Sequence, residues 1–344
     1  MIESLDVRDF RGIDLLEVRD LGRVNLFVGR NGAGKTAAME AIWIGASKAH
    51  LEAAFLMQLA RGLDSAEATF WHSLFRNQDP SAGCAVTVGS SGSADSVRIV
   101  DPDPLSAPGT QGVVWRVEGA VSAAGVESHT ETAWNSAATS QSSAMTQPAG
   151  PRFSHRAKGS SVWIRPGPDL TPTDLAAFSH IKQQSKDDAL LQMLRAVLPS
   201  IKGIELLSPT GTRGRIFVRL ADGQVLPLAV MGDGLQRCFE FAIHLVGAVA
   251  QQVFIDEVEN GLHHSILGPV WRGIAAMSRV SNAQVFCSTH SDECIQAAVD
   301  EFRQADDDGL RIVRLDRRGD RTTAAVYPRD LAEHAGAHAI EIRG

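Results

Sequence analysis

Gly29-Arg30-Asn31-Gly32-Ala33-Gly34-Lys35-Thr36 matches the phosphate-binding pattern G-x-x-x-x-G-K-[ST] at every specified position. The run in front of it, Val24-Asn25-Leu26-Phe27-Val28, is short and mostly apolar, as expected of a strand buried on both faces. Helix-favouring residues begin at Lys35 and continue through Ala41-Ile42-Trp43-Ile44. Strand, glycine loop and helix thus follow in the order that phosphate binding requires. Glycines let the backbone of Arg30, Asn31, Gly32, Ala33 and Gly34 wrap an anion with its N–H groups at a helix N-terminus, Lys35 neutralises β/γ oxygens, and the Thr36 hydroxyl suits Mg²⁺.

Two later segments complete the pattern. Val253-Phe254-Ile255-Asp256-Glu257 is an apolar strand ending in two acids, the form of a Walker B segment. Asp256 would hold Mg²⁺ through water, and Glu257 would orient or deprotonate the attacking water. Alone, such a pair is an ordinary loop start or helix cap. Beside a P-loop it has a reason to be functional, because a parallel sheet brings its strand C-termini to one edge. Gln284-Val285-Phe286-Cys287-Ser288-Thr289-His290-Ser291 is another buried strand, ending in small polar residues and a histidine. His290 is either structural or a partner of the γ-phosphate or the attacking water.

Composition bounds the rest. The 344 residues are 44% hydrophobic and 21% charged, those of an ordinary globular protein, and the length suits two domains or one large one. A net charge of -7 argues against attachment to nucleic acid by overall charge, although residues 152–219 carry 11 Lys/Arg against 5 Asp/Glu and leave a local nucleic-acid or acidic-partner face open. Four cysteines without a CxxC pair, and acids at Glu3 and Asp6 where a signal peptide would be basic and then apolar, predict a reduced, cytoplasmic chain. The longest apolar stretches fall short of the ~20 residues of a membrane span. Residues 81–150 hold twelve serines, twelve alanines and eight glycines, with strand-like fragments at 85–88, 97–100 and 113–117. They read as an inserted β-rich lobe with a poorly ordered tip at 137–149. Elsewhere the patterning predicts paired strands at 2–7 and 15–18, helices over 50–76, 173–179, 186–198 and 234–250, and hairpins at 215–228 and 312–327.

Residues 2–40, with Asp9-Phe10-Arg11-Gly12 and the phosphate loop, resemble the opening of ABC-type ATPases of the SMC, RecF and OLD (overcoming lysogenization defect) superfamily. Asp256-Glu257-Val258-Glu259-Asn260-Gly261-Leu262-His263 is similar to that group's Walker B and D-loop, and Ser288-Thr289-His290-Ser291 to its switch-histidine segment. The resemblance covers residues 1–78 and 200–300 and leaves out the Ser/Gly/Ala-rich stretch. It implies an α/β P-loop NTPase: an ABC-type ATPase head, with a mixed sheet and flanking helices, carrying the β-rich insert. The layout expected is 1–80 for the first part of the head, 81–165 for the insert and 166–344 for a helical lobe and the rest of the head.

The resemblance also implies ATP and Mg²⁺ as cofactors and a head-to-head dimer closed by ATP. Met231-Gly232-Asp233-Gly234-Leu235-Gln236-Arg237 stands where the signature segment belongs, so Gly232, Asp233, Gly234 and Arg237 would face a γ-phosphate across the interface. Two residues depart from the pattern. Gly232 takes the place of a serine, and His263 that of an aspartate found in transporter-type D-loops. Gln78 is the candidate Q-loop residue at the metal. Small standalone OLD-like ATPases ending, as here, in Glu341-Ile342-Arg343 resemble subunits of bacterial anti-phage systems that work with a separate nuclease or toxin. The expectation is therefore an ATP-gated dimeric or larger switch with such an effector and no membrane contact, the alternative being a RecF-like ATPase that binds DNA. The absence of heptads excludes a full SMC arm, and the stretch after His290 is too short for the toprim domain of an OLD nuclease.

Overall fold

The strands β1 (Ile2–Phe10) and β2 (Ile13–Val18) form the expected hairpin, with Phe10 opposite Ile13 across a tight turn. Ile2, Leu5, Val7 and Phe10 of β1 are buried. The computed structural model describes the chain except for residues 48–49, 65–68, 101–113, 124–125, 136–159, 165–170, 209–213, 248–249, 320 and 332–344. The expected tip at 137–149 and the Glu341-Ile342-Arg343 segment lie outside the described residues. After the hairpin come β3 (Val24–Val28) and α1 (Lys35–Ala46), the strand and helix that the glycine loop predicts.

The chain forms two compact units, 1–21, 30–158 and 315–326 making the first and 22–29, 159–314 and 327–344 the second. In the first unit the residues expected to form the inserted β-rich lobe do form strands, and these continue the N-terminal hairpin. Strands β4 (Cys84–Ser90), β5 (Ser93–Val100), β6 (Val114–Ala123) and β7 (Val126–Asn135) extend it into one antiparallel sheet of order β2-β1-β4-β5-β6-β7. The reason is apolar register: Val88 lies opposite Leu5 and Val86 opposite Val7, so both strands bury the same face. Helix α1 packs there, and Gly45 permits it, since a Cβ would meet the γ-carbons of Val88 and Val86 at 2.9 and 3.0 Å. The stretch expected to be helical over 50–76 is α2 (His50–Ala60) and a short α3 (Thr69–His72), joined by the ring cluster of Phe55, Phe70 and Trp71.

The second unit holds a parallel sheet. Its strands β8 (Ser160–Ile164), β12 (Ala250–Ile255), β13 (Gln284–Ser288) and β14 (Leu310–Arg318) join β3 in the order β14-β3-β13-β12-β8. β15 (Arg321–Pro328) adds to β14. All five residues of β3 and of β13 are buried, and the rings of Trp163, Phe254 and Phe286 stack across three neighbouring strands at 5.3 and 5.1 Å. Helices α4 (Pro172–Gln183), α5 (Asp187–Arg195), α6 (Asp233–Val246), α7 (His264–Ser281) and α8 (Asp292–Gln304) supply core residues such as Phe178, Leu194, Phe239, Trp271 and Phe302. The hairpin expected at 215–228 gains a third strand, giving a small sheet of β9 (Ile201–Leu207), β10 (Arg215–Leu220) and β11 (Val225–Pro227). The helix expected to reach residue 250 stops at Val246, because Ala250 already pairs with Ser160 as the start of β12.

Candidate active site

In the first unit the loop that follows β3 turns on two glycines in left-handed backbone, Gly32 at φ 79° and Gly34 at φ 98°. Residues with a Cβ are strained there. Ala33 N–H donates to the Arg30 carbonyl at 3.1 Å and Lys35 Nζ to the same oxygen at 3.2 Å, which closes the loop on itself. A Cβ at Gly32 would meet nothing within 4 Å, so the loop is open on that side. Helix α1 begins on Gly34, which has no side chain to cap it, and its dipole faces the loop. A lysine ammonium, a threonine hydroxyl and a glycine-hinged helix N-terminus form a donor set that fits a polyphosphate with its Mg²⁺. Gln78 ends a 3-10 turn (Arg76–Gln78) in the same unit, exposed and at φ 60°.

In the second unit the parallel register places the ends of β3, β12 and β13 along one edge: Ile255 pairs with Cys287, and Ser288 with Phe27. The chain leaves that edge at Gly29 for the glycine loop. Ser288 organises the acids. Its hydroxyl donates to Asp256 Oδ1 and accepts from the Glu257 N–H at 2.9 Å, while its carbonyl accepts from Val258 N–H at 3.0 Å. Glu257 is exposed and sits at φ 48°, a strained backbone for a residue with a Cβ. Thr289 N–H donates to the Phe27 carbonyl at 3.1 Å, which fixes the path to His290. Asp256, Glu257 and His290 are therefore brought to one sheet edge. Ser288 and Glu259, which hold them, had no role in the sequence reading; position in the Walker B and switch segments was the only signal they gave.

Residues 231–237, the candidate signature segment, open α6 as expected, with Gly232 and Asp233 exposed at its N-terminus. Gly232 is at φ 86°, ψ 152°, a conformation that only glycine adopts readily. Gly234 lies so close to the D-loop that a Cβ would come within 3.4 Å of the Gly261 carbonyl. Arg237 corrects the expectation of a cross-subunit contact. Its side chain is only 6% exposed, pairs with Glu240 at 3.1 Å, donates to the Asp256 carbonyl at 3.2 Å and lies over the Phe241 ring. One turn into the helix it faces inward, and there burial lowers its pKa against the pull of Glu240 and Asp256. His263, in the D-loop position of aspartate, is the N-cap of α7 and accepts from Ser265 N–H at 3.4 Å.

Residues 151–295 match the family model described as "AAA domain, putative AbiEii toxin, Type IV TA system". An ATP/GTP phosphatase of Helicobacter pylori is 34% identical over 99 residues, which is 28% of this chain and 27% of that protein. The match thus spans only about a quarter of that relative. Among solved structures, an SMC head bound to the C-winged helix domain of ScpA is similar with a TM-score of 0.51 at 14% identity, covering 97% of this chain and 99% of that one. An SMC head with an extended coiled coil, bound to the C-terminal domain of ScpA derived from Pyrococcus furiosus, gives 0.50 at 13%, covering 100% and 99%. The fold of the chain is that of the SMC-head structures. Within it, residues 151–295 carry the AAA-type match.

Proposed function

We propose that this protein hydrolyses ATP and works as an ATP-gated dimeric or larger switch, an OLD-like ATPase of bacterial anti-phage defence that acts through a separate effector such as a nuclease or toxin. The observation that carries the reading is the edge of the parallel sheet, where Asp256, Glu257 and His290 emerge beside the end of β3, the strand that runs straight into Gly29-Arg30-Asn31-Gly32-Ala33-Gly34-Lys35-Thr36. Lys35 and the loop N–H groups would bind phosphate oxygens, and Thr36 and Asp256, with Gln78 as a further candidate, would hold Mg²⁺. Mg²⁺, when bound, neutralises phosphate charge and orients the leaving group. Glu257, exposed just past the end of β12, takes the proton of the attacking water. His290 binds the γ-phosphate or that water. Gly232, Asp233 and Gly234 offer an exposed helix N-terminus to the nucleotide of a second subunit.

The printed name of the Helicobacter pylori relative, a phosphatase of ATP and GTP, supports hydrolysis. The toxin–antitoxin wording of the family description supports a defence role, and the ScpA-bound SMC heads support a partner-binding head. The test is light scattering with and without ATP and Mg²⁺, with phosphate release followed in parallel. ATP should raise the mass to a dimer or larger, Glu257→Gln should trap that state, and Lys35→Ala should abolish it. Constant mass and no phosphate in all three proteins would overturn the switch.

A further inference from the structure

One acid at the sheet edge has no task in the chemistry above. Glu259 lies in the turn after β12 with its side chain only 12% exposed. Its Oε1 accepts from the backbone N–H of His290 at 3.0 Å and also lies 3.0 Å from Nδ1 of the same ring, as an ion-pair contact. Its other oxygen, Oε2, is buried with no hydrogen-bond partner among the described residues. A solvated surface charge would show neither feature. The turn that carries it is fixed at both ends, since Val258 N–H donates to the Ser288 carbonyl at 3.0 Å and Leu262 N–H to the Glu259 carbonyl at 2.9 Å. The His290 ring, by contrast, is 47% exposed. A half-exposed ring is thus gripped through one nitrogen by a nearly buried carboxylate.

The chemistry follows from the hydrogen-bond inventory. A carboxylate only accepts, so the ring nitrogen that lies 3.0 Å from Glu259 Oε1 is stabilised there as the protonated one. In the neutral ring Nε2 then bears the lone pair, and the identity of the protonated nitrogen is set by the bond the other one makes. We propose that Glu259 is the positioning residue of His290: it locks the imidazole in the Nδ1–H tautomer and in one orientation, so that Nε2 is the atom offered to the γ-phosphate or the attacking water. The inference rests on the role given to His290 under the proposed function, but the clamp itself has a separate readout.

The experiment combines nitrogen-15 imidazole spectra of histidine-labelled protein with steady-state kinetics. His290→Gln assigns the His290 signals by their loss. Wild type should show His290 with Nδ1 protonated, Glu259→Gln should keep that tautomer through its amide oxygen, and Glu259→Ala should shift the ring to a mixture in which the Nε2–H form rises. In ATP hydrolysis Glu259→Ala should lower kcat by about 10- to 100-fold, as loss of an orienting partner does elsewhere, with KM for ATP within about twofold and partial recovery in Glu259→Gln. In the His290→Gln background, Glu259→Ala should cost nothing further. An unchanged tautomer in Glu259→Ala, or a kcat loss that persists in full in the His290→Gln background, would overturn the clamp. A wild type that releases no phosphate while its tautomer depends on Glu259 would instead fell the ATPase reading and leave the clamp standing.

Discussion

Gly232 illustrates what a single position can and cannot say. As a letter it is a missing serine, a lost hydroxyl contact. In the structure it holds φ 86° and ψ 152°, so a Cβ is unwelcome whatever space surrounds it, and nothing lies within 4 Å of where one would be. Restoring the usual residue by Gly232→Ser should therefore destabilise the protein by about 1–3 kcal/mol. Urea unfolding measures it, and an unchanged midpoint would sink the account. Ser288 is the converse case, an ordinary small residue in the sequence that turns out to join Asp256 to the Glu257 N–H. Ser288→Ala should leave that N–H and the Asp256 carboxylate without their partner and raise the Mg²⁺ concentration needed for half-maximal hydrolysis by about 10-fold. A magnesium titration unchanged from wild type would count against it. The candidate site residues Lys35, Thr36, Asp256 and Glu257 stand out in the sequence because phosphate binding restricts residue type and spacing. Their supports do not, because a serine hydroxyl or a second acid is useful only once two strand ends lie side by side.

Helix α6 carries three of its polar residues on its inner side, a pattern that amphipathic reading does not foresee. Arg237, Glu240 and His244 are all buried; Arg237 pairs with Glu240, and His244 Nε2 with Asp174 Oδ1 at 2.6 Å. The resemblance placed Arg237 at an interface through its position in the segment; the strand end with the Asp256 carbonyl that draws it inward is a long-range contact that no local pattern shows. Removing one member of a buried pair leaves an uncompensated charge, so Arg237→Met alone should cost about 3–5 kcal/mol, whereas Arg237→Met with Glu240→Leu should recover most of it. A double variant no more stable than the single one would refute that. The other pair makes a pH prediction. Burial pushes the Asp174 carboxyl up, but hydrogen bonds from His244 and Thr171 outweigh it and hold it below 3.8. The stability this gives is fully present above pH 3.8 and is lost as pH falls through the lower native value. Burial raises Glu240 despite Arg237, so its protonation favours the fold as pH falls and cannot produce that loss. Asp174→Asn should flatten the acid limb of stability followed by chemical denaturation, and a limb as steep as in wild type would overturn the assignment. The elements themselves were mostly readable, since β1 to β3, α1, β12 and β13 follow plain periodicity. The pairing of β4 with β1 was not, because alternating apolar residues mark a buried face without naming the strand that shares it.

For the whole molecule the useful probes are its four cysteines. All are buried, at 0–3% exposure, and none forms a disulfide. Burial pushes the thiols of Cys84, Cys238 and Cys294 up to about 12 and that of Cys287 well above its usual value. Thiolate is the reactive form, so the native protein should not take up maleimide, and reductant should leave its melting unchanged. Cys84 lies in the first compact unit and Cys238, Cys287 and Cys294 in the second, which makes labelling a test of how stability is shared. The chain does not run through one unit and then the other. Residues 22–29, which contain β3, belong to the second unit with first-unit chain on both sides, and β14 begins in the second unit and ends in the first. Such interleaving means that unfolding either unit pulls on strands at the centre of the other's connections, and a cooperative loss of both is the outcome expected. In a urea series with labelling read by peptide mass, Cys84 should become reactive at the same midpoint as Cys287, the most enclosed of the four. Labelling of Cys84 at a clearly lower urea concentration would show instead that the antiparallel sheet opens alone, a local unfolding below the global one.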